Sequence, residues 1–561
     1  MVKRCVVLLL LAPTALVAQQ AAVQAQVNPA ATQQGNLQTQ KFEQLQKQLG
    51  AGKNPTAPSI AGARGAARAP AAGTGPSFQL NRIVTNRSAI LSPAAIARAL
   101  APFEHRRVHF ADLESAVAAL NQLYQQRGIL TARAVLPRQT VHNGIVRIQL
   151  IEARLGQVRV LGAKQTPSSF YLRRLQARPG ELLRLPRLRK DLILLNTSND
   201  VAVRALLRPG RRFGTTDLVL EVAEPPSFAL EPSFDNVGRA SIGLQRLGMG
   251  ARFESLLGDR DPLSLSSSWA TGTFSQSLDY SVPLTVAGTR LDMGGDFSGI
   301  RIRSGQLQTL GITGNSLDYH MGLTQPLLAR EGLVVNGTAQ LQITRSLTRS
   351  NQFQLSRDLV QDVALGGNLQ WFDANGVWIA NDTLTFGASS LAGSHGFGKE
   401  SLSLARQQRL WPDWTEILRF SGQTRWFSGA QGLPLVEQFQ LGGLSSVRGY
   451  PEGWQIANTG YALTTELDYP LPLRQFFFGG AFSRGLHGAV FADHGGIFGL
   501  PGATRDLYLT SAGLGIVFSS PYLDGRLDWA APLENRDGLK KVGFDFYLQP
   551  RLPRDWYRFW R

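Results

Sequence analysis

The chain has 561 residues, of which 58 are glycine and 17 % are charged, and its formal net charge is +18. This length exceeds the ~100–200 residues of one compact domain, so more than one structural unit is expected. After the first 20 residues, no uninterrupted apolar run approaches the ~18–20 residues of a membrane-spanning helix. Any passage through a membrane must therefore use strands.

The N-terminus has the order of charged, apolar and small residues that is typical of a secretory signal peptide. Lys3 and Arg4 precede an apolar stretch, and Ala18 and Ala25 are suitable cleavage positions. A signal peptide is therefore predicted over residues 1–25. Cys5 is the only cysteine of the chain, so the mature protein can form neither a disulfide nor a thiolate metal site.

Residues 26–76 are predicted to hold a short helix on a flexible tether. Phe42, Leu45 and Leu49 recur at helical spacing within residues 36–49, which are otherwise rich in Gln and Lys. Gly, Ala and Pro dominate from there to Pro76, the composition of a linker. The helix is thus expected to be tethered to the units that follow it.

Residues 77–155 and 156–227 are predicted as two α+β units with the element order β-α-α-β-β. The first has strands at 79–85, 130–136 and 145–151, a helix capped by Ser92, and a helix that ends at Gly128. The second has a strand at 157–161, a helix opening at Thr166-Pro167, a helix carrying Leu185, Leu188, Leu192 and Leu195, and strands near Val201 and Leu218. Together, residues 77–230 carry 23 basic and 10 acidic side chains. This excess favours an acidic or extended partner, with an arginine-rich solvated surface as the equal alternative.

From residue 228 to the end, apolar and polar residues alternate strictly between turn residues. In residues 335–343 the odd positions are Val, Gly, Ala, Leu and Ile, and the even positions are polar. A large barrel with a water-filled lumen needs an apolar face outward and tolerates Gly, Thr and Gln inside, whereas a soluble sandwich does not. The pattern predicts a transmembrane antiparallel β-barrel over 228–561, with about 16 strands and with roughly 14 or 18 not excluded. Tryptophans near strand ends are consistent with interfacial girdles: Trp411, Trp414, Trp426 and Trp454.

Two short motifs in the barrel segment are predicted to meet. Alternation sends Val490 and Ala492 towards lipid, which places Phe491 and Asp493 in the lumen. A carboxylate in a partly dry lumen requires a cation. Arg448, in a loop of about 442–460 between strands predicted at 435–441 and 461–469, is its partner if that loop folds inward.

These residues resemble the signature motifs of two-partner secretion transporters, the TpsB family that includes FhaC and ShlB. The resemblance rests on Phe439 to Gly443 followed by Val447, Arg448, Gly449 and Tyr450, and on Phe491, Asp493 and Gly495. In the second α+β unit it rests on Asp191-Leu192, Leu195-Asn196, Pro209-Gly210 and Asp217-Leu218. It implies two periplasmic POTRA domains, a loop locked to the barrel wall through Arg448 and Asp493, and an N-terminal helix that plugs the pore.

The function implied is export of one unfolded exoprotein of the TpsA type from the periplasm to the cell surface of a Gram-negative bacterium. The POTRA domains would receive this client by β-augmentation, aided by Arg173, Arg174, Arg187 and Arg189. The barrel is expected to lie among outer-membrane lipid and lipopolysaccharide, to be inserted by the barrel-assembly machinery and to function as a monomer. Two other classes are open: an assembly factor of the BamA or TamA type, and a passive pore.

No catalytic site, metal site or cofactor is predicted, and nucleic acid is not an expected partner of an exported protein. Gly393 to Lys399 have the spacing of a phosphate-binding loop, but Glu400 stands where Ser or Thr should hold magnesium. His105 and His109 are four residues apart in a segment, 104–110, that is predicted to be a loop without a third ligand. No Gly-x-Ser-x-Gly motif occurs, which removes the nucleophile elbow of a serine hydrolase.

Overall fold

A computed structural model describes residues 29, 32–35, 45, 49, 54–57, 59–61, 77–129, 131–212, 214–351, 353–390, 395–429, 432–471, 485–499, 506–520, 523–534 and 543–550. The predicted signal peptide, Phe42 and the C-terminal residues 551–561 lie outside these residues. Within them, no helix combines the length and the apolarity that a membrane crossing requires.

The first described strand, β1 (Ile60–Ala61), lies within the segment that was predicted to be only a linker. It is followed by the first α+β unit, whose elements are β2 (Phe78–Leu80), β3 (Arg82–Thr85), α1 (Pro93–Leu100), β4 (Arg106–Val108), α2 (Phe110–Gln126), β5 (Ala132–Val135) and β6 (Ile145–Glu152). Ser92 caps α1 as predicted, since its Oγ accepts a hydrogen bond from Ala95 N at 3.3 Å. The prediction of a loop over 104–110 was wrong: β4 pairs with β2, and His109 begins α2, where its backbone N–H donates to Asp112 Oδ2 at 2.7 Å.

The second α+β unit consists of β7 (Arg154–Leu161), α3 (Ser168–Arg173), α4 (Leu185–Ser198), β8 (Ala202–Pro209) and β9 (Thr215–Ala223). Its element order is the predicted one, and its sheet has the strand order β1-β8-β9-β7. Strand β1 pairs in parallel with β8 through only two residue pairs, so part of the predicted linker forms the edge of this sheet. The apolar core lies between the sheet and α4, with Leu188, Leu192 and Leu195 buried.

The two units repeat the same two side-chain clamps. Asn121 of α2 exchanges two hydrogen bonds with the backbone of Ala134 in β5, and Asn196 of α4 does the same with Val203 in β8. A buried tyrosine also donates to a carboxylate at the end of the last strand region at 2.8 Å in each unit, namely Tyr124 to Glu152 and Tyr171 to Glu224. The units therefore share local chemistry, although the first has an additional strand, β4, between its two helices.

The barrel is a closed antiparallel sheet of 16 strands, in agreement with the predicted number. Eleven strands precede a long loop: β10 (Phe228–Asp235), β11 (Arg246–Phe253), β12 (Leu263–Ala270), β13 (Thr273–Pro283), β14 (Arg290–Arg301), β15 (Ile312–Arg330), β16 (Leu333–Ser350), β17 (Phe353–Phe372), β18 (Gly376–Ser389), β19 (His395–Trp411) and β20 (Trp414–Phe427). The loop holds β21 (Phe439–Leu441) and β22 (Gln455–Ala457). The remaining five strands are β23 (Thr459–Pro470), β24 (Leu486–Phe498), β25 (Leu507–Ser519), β26 (Leu523–Pro532) and β27 (Gly543–Pro550). Strand β27 returns to β10 and closes the sheet.

The alternation along the strands places apolar side chains outside the barrel and polar ones inside. Leu341 and Ile343 of β16 are exposed on the outer face, whereas Thr344 faces inward and is buried. Trp411, Trp414 and Trp426 are exposed at strand ends, as expected for a girdle. Trp454 is not part of it, because the loop that carries it folds into the barrel, where its ring lies 6.1 Å from that of Tyr450.

Two arginines attach the C-terminal end of α4 to the end of the barrel that faces the α+β units. Arg260, in the turn between β11 and β12, is fully buried and donates to the carbonyls of Asn199 (3.1 Å) and Asp200 (2.9 Å). Arg290 at the start of β14 donates to the carbonyl of Ser198 at 3.1 Å. Cations at a helix C-terminus satisfy its free carbonyls and interact favourably with its dipole. Because the chain enters the barrel from this side, this is the end that the resemblance to two-partner secretion transporters implies to be periplasmic, and it is called the periplasmic end below.

Candidate functional site

A long loop, residues 428–458, is described at 428–429 and 432–458, and these residues fold from the far end of the barrel into its lumen. The sequence places its start too late, at about 442, because Phe439–Leu441 alternates like a barrel strand. In the structure this segment is β21, which pairs only with β22 and not with the barrel wall. A short 3-10 turn, Leu435–Glu437, precedes it. The loop is therefore a hairpin with its own ladder, and its tip carries Arg448.

Arg448 is completely buried and contacts the barrel wall through every part of its guanidinium group. Its Nε and Nη2 donate to the two oxygens of Asp493 on β24 at 2.7 and 2.9 Å, a bidentate pair. Its backbone N–H also donates to Asp493 Oδ2, at 3.1 Å. The guanidinium carbon lies 3.3 Å from the centre of the Phe491 ring. This geometry combines a charge-assisted bidentate pair with a cation–π contact.

Three further wall residues complete an ion cluster that the sequence reasoning missed. Arg448 Nη1 lies 2.9 Å from Glu466 Oε2 on β23 and 3.3 Å from Asp528 Oδ2 on β26. Arg526 on β26 bridges the same two carboxylates, with contacts of 2.7 Å to each. The cluster thus joins the loop tip to three strands of one wall. The signal that could have found these residues is the pair Arg526 and Asp528, two charges at alternate positions on the inward face of one strand.

Apolar contacts around the cluster depend on two glycines. Val447 and Leu441 are fully buried against β24, and a Cβ on Gly495 would lie only 2.5 Å from Leu441 Cδ1. Gly449 has a φ of +84°, a conformation that favours glycine, and a Cβ there would meet Ala530 O at 2.9 Å. Tyr450 Oη donates to the carbonyl of Thr510 at 3.1 Å. The loop therefore fits the wall closely enough that neither glycine has room for a side chain.

The base of the loop is held against the neighbouring strands β19 and β20 by a second buried ion pair. Lys399 Nζ on β19 lies 2.7 Å from Glu437 Oε2, and it also donates to the Glu437 carbonyl at 3.0 Å. Gln423 Nε2 on β20 donates to the same carbonyl at 2.8 Å. Lys399, which resembles the lysine of a phosphate-binding loop in the sequence, is thus a structural anchor. With Arg448, it attaches the loop to the barrel at two places along one part of the wall.

The described N-terminal residues, which are helical at 29, 32–35, 45 and 49, lie in the lumen and contact it at both ends. At the far end, Gln34 Nε2 donates to the carbonyl of Gln438 at 2.9 Å, and Gln440 Nε2 donates to Gln34 Oε1 at 3.1 Å. At the periplasmic end, Leu45 and Leu49 pack on Val377, Ile379, Ala405 and Ile417 of β18, β19 and β20. Helical residues occur before Asn36, so the predicted start of the helix was too late.

The four arginines predicted to attract the client have different surroundings. Arg173 Nη2 lies 3.7 Å from Asp259 Oδ1, and Arg189 Nη1 lies 3.3 Å from Glu331 Oε2, both in periplasmic turns of the barrel. The Arg174 guanidinium stacks 3.5 Å from the ring centre of Phe170 in its own unit. Arg187 is exposed. Arg173 and Arg189 therefore contact the barrel, and Arg174 packs within its own α+β unit. Within the described part of the chain, Arg187 is the one of the four that is exposed without such a contact.

One group of side chains has the composition of a metal site. Asp296, Asp318 and His320, on the inner face of β14 and β15, have ligand atoms within 4.8 Å of one another. Asp318 Oδ2 already accepts hydrogen bonds from Gln342 at 2.8 Å and Thr344 at 2.6 Å. These hydrogen bonds are typical of a polar lumen lining, and they explain the position of Asp318 without a metal ion.

Comparison with known proteins identifies both parts of the chain. Residues 78–153 match the model of the ShlB-type POTRA domain, and residues 214–518 match that of the haemolysin secretion/activation protein ShlB/FhaC/HecB. The chain is 26 % identical over 422 residues to the outer membrane transporter CdiB of Escherichia coli O6:K15:H31, covering 71 % of this chain and 70 % of the relative. It is 24 % identical over 441 residues to the heme/hemopexin transporter protein HuxB of Haemophilus influenzae, covering 71 % and 72 %.

A solved structure has the same fold. That of CdiB from Escherichia coli superposes with a TM-score of 0.67 at 21 % identity, over 93 % of this chain and 98 % of that one. The match to the secretion/activation model spans more than half of the chain and includes both motifs of the ion cluster. The chain therefore belongs to the ShlB/FhaC/HecB family of haemolysin secretion/activation proteins.

Proposed function

We propose that this outer-membrane protein, whose POTRA-type N-terminal part lies in the periplasm, exports one unfolded exoprotein of the TpsA type to the cell surface. Its relatives are named as transporters, and its barrel and periplasmic units have the arrangement that such transport requires. Insertion by the barrel-assembly machinery, a surrounding of lipopolysaccharide and action as a monomer are part of this proposal. No enzymatic step is needed, because the client would cross as an extended chain.

The observation that carries the proposal is that the lumen is filled by two segments of the chain itself. Side-chain contacts hold the N-terminal helical residues and the loop 428–458, and in the part of these segments that the structure describes neither forms a strand ladder with the barrel. Both can therefore move while the 16-strand ladder stays intact. A barrel of this size leaves an aqueous channel when its lumen is open.

The two other functional classes, a passive pore and an assembly factor, are favoured less. A passive pore would need neither the periplasmic units nor a removable obstruction. An assembly factor shares the barrel and POTRA architecture, but the family model that matches residues 214–518 is that of secretion proteins. The two classes predict different losses when the gene is deleted, which allows a direct test.

The client would bind by adding a strand to a sheet edge in the periplasm. The edge at β8 is now occupied by β1, through two residue pairs only. A client segment forming four or more pairs would replace it at little cost. The exposed Arg187 would assist the encounter, so Arg187→Glu should slow export, whereas Arg189→Glu should act through the barrel contact at Glu331.

The test is comparative proteomics of the medium and cell surface in strains with the parent gene, with no gene and with Arg448→Ala. Loss of one large exoprotein in the deletion strain, with other outer-membrane barrels unchanged, is the expected result. A general fall in outer-membrane proteins would replace the proposal by the assembly factor. No change in either fraction would favour the passive pore.

A second experiment tests the plug. Deletion of residues 29–49 should raise ion conductance in planar bilayers, because the described part of this segment lies across the lumen. Gln34→Ala removes only the contacts to the loop and should give an intermediate conductance. A deletion protein that conducts no more than the parent would contradict the plug role.

A further inference from the structure

The outer face of strands β14 to β17 carries a group of arginines at its extracellular end. Arg301 on β14, Arg345 and Arg349 on β16, and Arg357 on β17 are all exposed. They occupy the same outward-facing positions as the apolar residues of these strands, such as Phe297, Leu341, Ile343 and Leu359, which are exposed as well. The four side chains, here called the arginine patch, therefore face the surroundings of the barrel and not its lumen.

The strand register brings the arginine patch together. Arg301 pairs with Thr313, which in turn pairs with Arg349. Arg357 pairs with Leu347, the residue midway between Arg345 and Arg349. With strands about 4.8 Å apart and a rise of about 3.3 Å per residue, nearest members lie roughly 8–10 Å apart. A single phosphorylated headgroup can span such a distance.

The height of the patch places it at a membrane surface. Strand β17 has 20 residues, about 66 Å of extended chain, whereas about 10 residues are enough to cross the membrane. Below the patch, the outer face of these strands is apolar or uncharged down to Trp371 at the periplasmic end, which is exposed. Arg345 lies 12 positions up the barrel from the level of Trp371, since Leu333 pairs with Trp371 and Leu359 with Arg345. The patch thus begins where the apolar band ends.

The charge of the patch is not balanced by the protein. Among the described residues, no carboxylate forms an ion pair with any of the four arginines. The acidic residues nearest to them in sequence face the lumen and are buried: Asp296, Asp318, Asp358 and Asp362. The barrel segment as a whole is close to neutral, with 28 basic and 29 acidic residues in 231–561. Four unbalanced cations on one outer face therefore indicate an anionic partner outside the protein.

We propose that the arginine patch binds the phosphate groups of lipopolysaccharide in the outer leaflet, and specifically those on the acylated disaccharide, lipid A. Guanidinium groups bind phosphate in a bidentate manner, and the apolar face directly below provides the surface for the acyl chains. The exported client is a poorer candidate, because it leaves through the lumen and the patch faces away from it. The inference rests on the outer-membrane location and not on the identity of the client.

The test compares two variants of the purified full-length protein in detergent. The test variant is Arg345→Gln/Arg349→Gln/Arg357→Gln, and the matched control is Arg330→Gln/Arg409→Gln, which removes exposed arginines at the periplasmic end of the same barrel. The probes are bis-phosphorylated lipid A, the same lipid without phosphates, and inorganic phosphate as competitor. Binding is measured by native mass spectrometry, and folding is checked by heat-modifiable migration on gels.

An arginine close to an anionic surface contributes about a factor of five in affinity, so the test variant should bind lipid A roughly a hundredfold more weakly. The control should bind within about twofold of the parent, and phosphate-free lipid should bind both proteins weakly. Parental affinity in a folded test variant, or equal binding of phosphate-free lipid, would overturn the proposal. Displacement of lipid A by millimolar inorganic phosphate would assign the patch to free phosphate instead. Export of the exoprotein is assayed separately, so failure of the transport proposal would leave this result unaffected.

Discussion

Replacing Arg448 by alanine tests whether the ion cluster holds the loop in the lumen. The change removes the bidentate partner of the buried Asp493, whereas Glu466 and Asp528 keep their contacts with Arg526. Removal of one partner from a buried ion pair costs about 3–5 kcal/mol, because the other charge stays desolvated without compensation. At 1.36 kcal/mol per tenfold change, the equilibrium between docked and undocked loop should shift by about a hundredfold to several thousandfold.

The assay follows the accessibility of a cysteine next to Arg448. Ser446 is 7 % exposed in the docked loop, and the mature chain is predicted to contain no other thiol, so Ser446→Cys provides a unique site for maleimide labelling. The labelling rate in membrane vesicles is proportional to the population of the undocked loop. Arg448→Ala should raise this rate at least a hundredfold. Arg425→Ala is the matched control, since Arg425 is exposed near the end of β20, just before the same loop, and it should leave the rate within twofold.

A double variant separates charge balance from loss of packing. In Arg448→Ala/Asp493→Asn, one cation and one anion are removed together, so the net charge of the cluster equals that of the parent. The labelling rate should therefore be lower than in Arg448→Ala alone. Labelling of Arg448→Ala at the parental rate would refute the reasoning, and a double variant that labels faster than Arg448→Ala would refute its electrostatic part.

Three further predictions concern packing, pH dependence and the junction. Gly495→Ala should destabilise the docked loop by about 1–3 kcal/mol, because the added Cβ would overlap Leu441. The melting temperature of the folded form, followed on gels, should therefore be lower than in the parent. An unchanged melting temperature would contradict the contact. Burial raises the pKa of Asp191 from 3.8 to about 6. The second α+β unit should therefore lose stability as the pH rises from about 4 to 6, by at most roughly 3 kcal/mol, and hydrogen-exchange protection in α4 should fall with it. Asp191→Asn should abolish this pH dependence. Arg260→Ala should free the C-terminal carbonyls of α4 and expose the junction to proteolysis, and equal cleavage in parent and variant would rule this out.

The fold class follows from the sequence because its signals are periodic and extend over hundreds of residues. Alternation along the strands predicts the barrel and its outer face, and the helix stripes predict the order of the two α+β units. The errors concern pairing partners. Residues 439–441 alternate like a barrel strand, yet they form a separate hairpin, and residues 60–61 look like linker, yet they complete a sheet. Periodicity reports which faces a strand has, but not which strand lies beside it.

The candidate site is only partly encoded in local patterns. The spacing of two motifs suggests that Arg448 and Asp493 meet, and the structure places their charged atoms in contact. Glu466 and Arg526 lie on two other strands, and each resembles any polar residue that lines a lumen. Their proximity arises from the barrel register, in which Glu466 pairs with Phe491 beside Asp493. The sequence of one strand alone therefore does not show that these residues are neighbours.

The contacts in the lumen differ in strength, and this difference implies an order of release. The described N-terminal residues are held by neutral hydrogen bonds, worth about 0.5–1.5 kcal/mol each, and by two leucines at the periplasmic end. The loop is held by one buried ion cluster, one buried ion pair and an apolar core, and breaking a buried ion pair costs several kcal/mol. A helix is about 10–12 Å wide, close to the width of an extended chain with its side chains, so its departure alone makes room for a client. The N-terminal segment should therefore leave first, while the loop stays docked and keeps the wall of the open channel in shape.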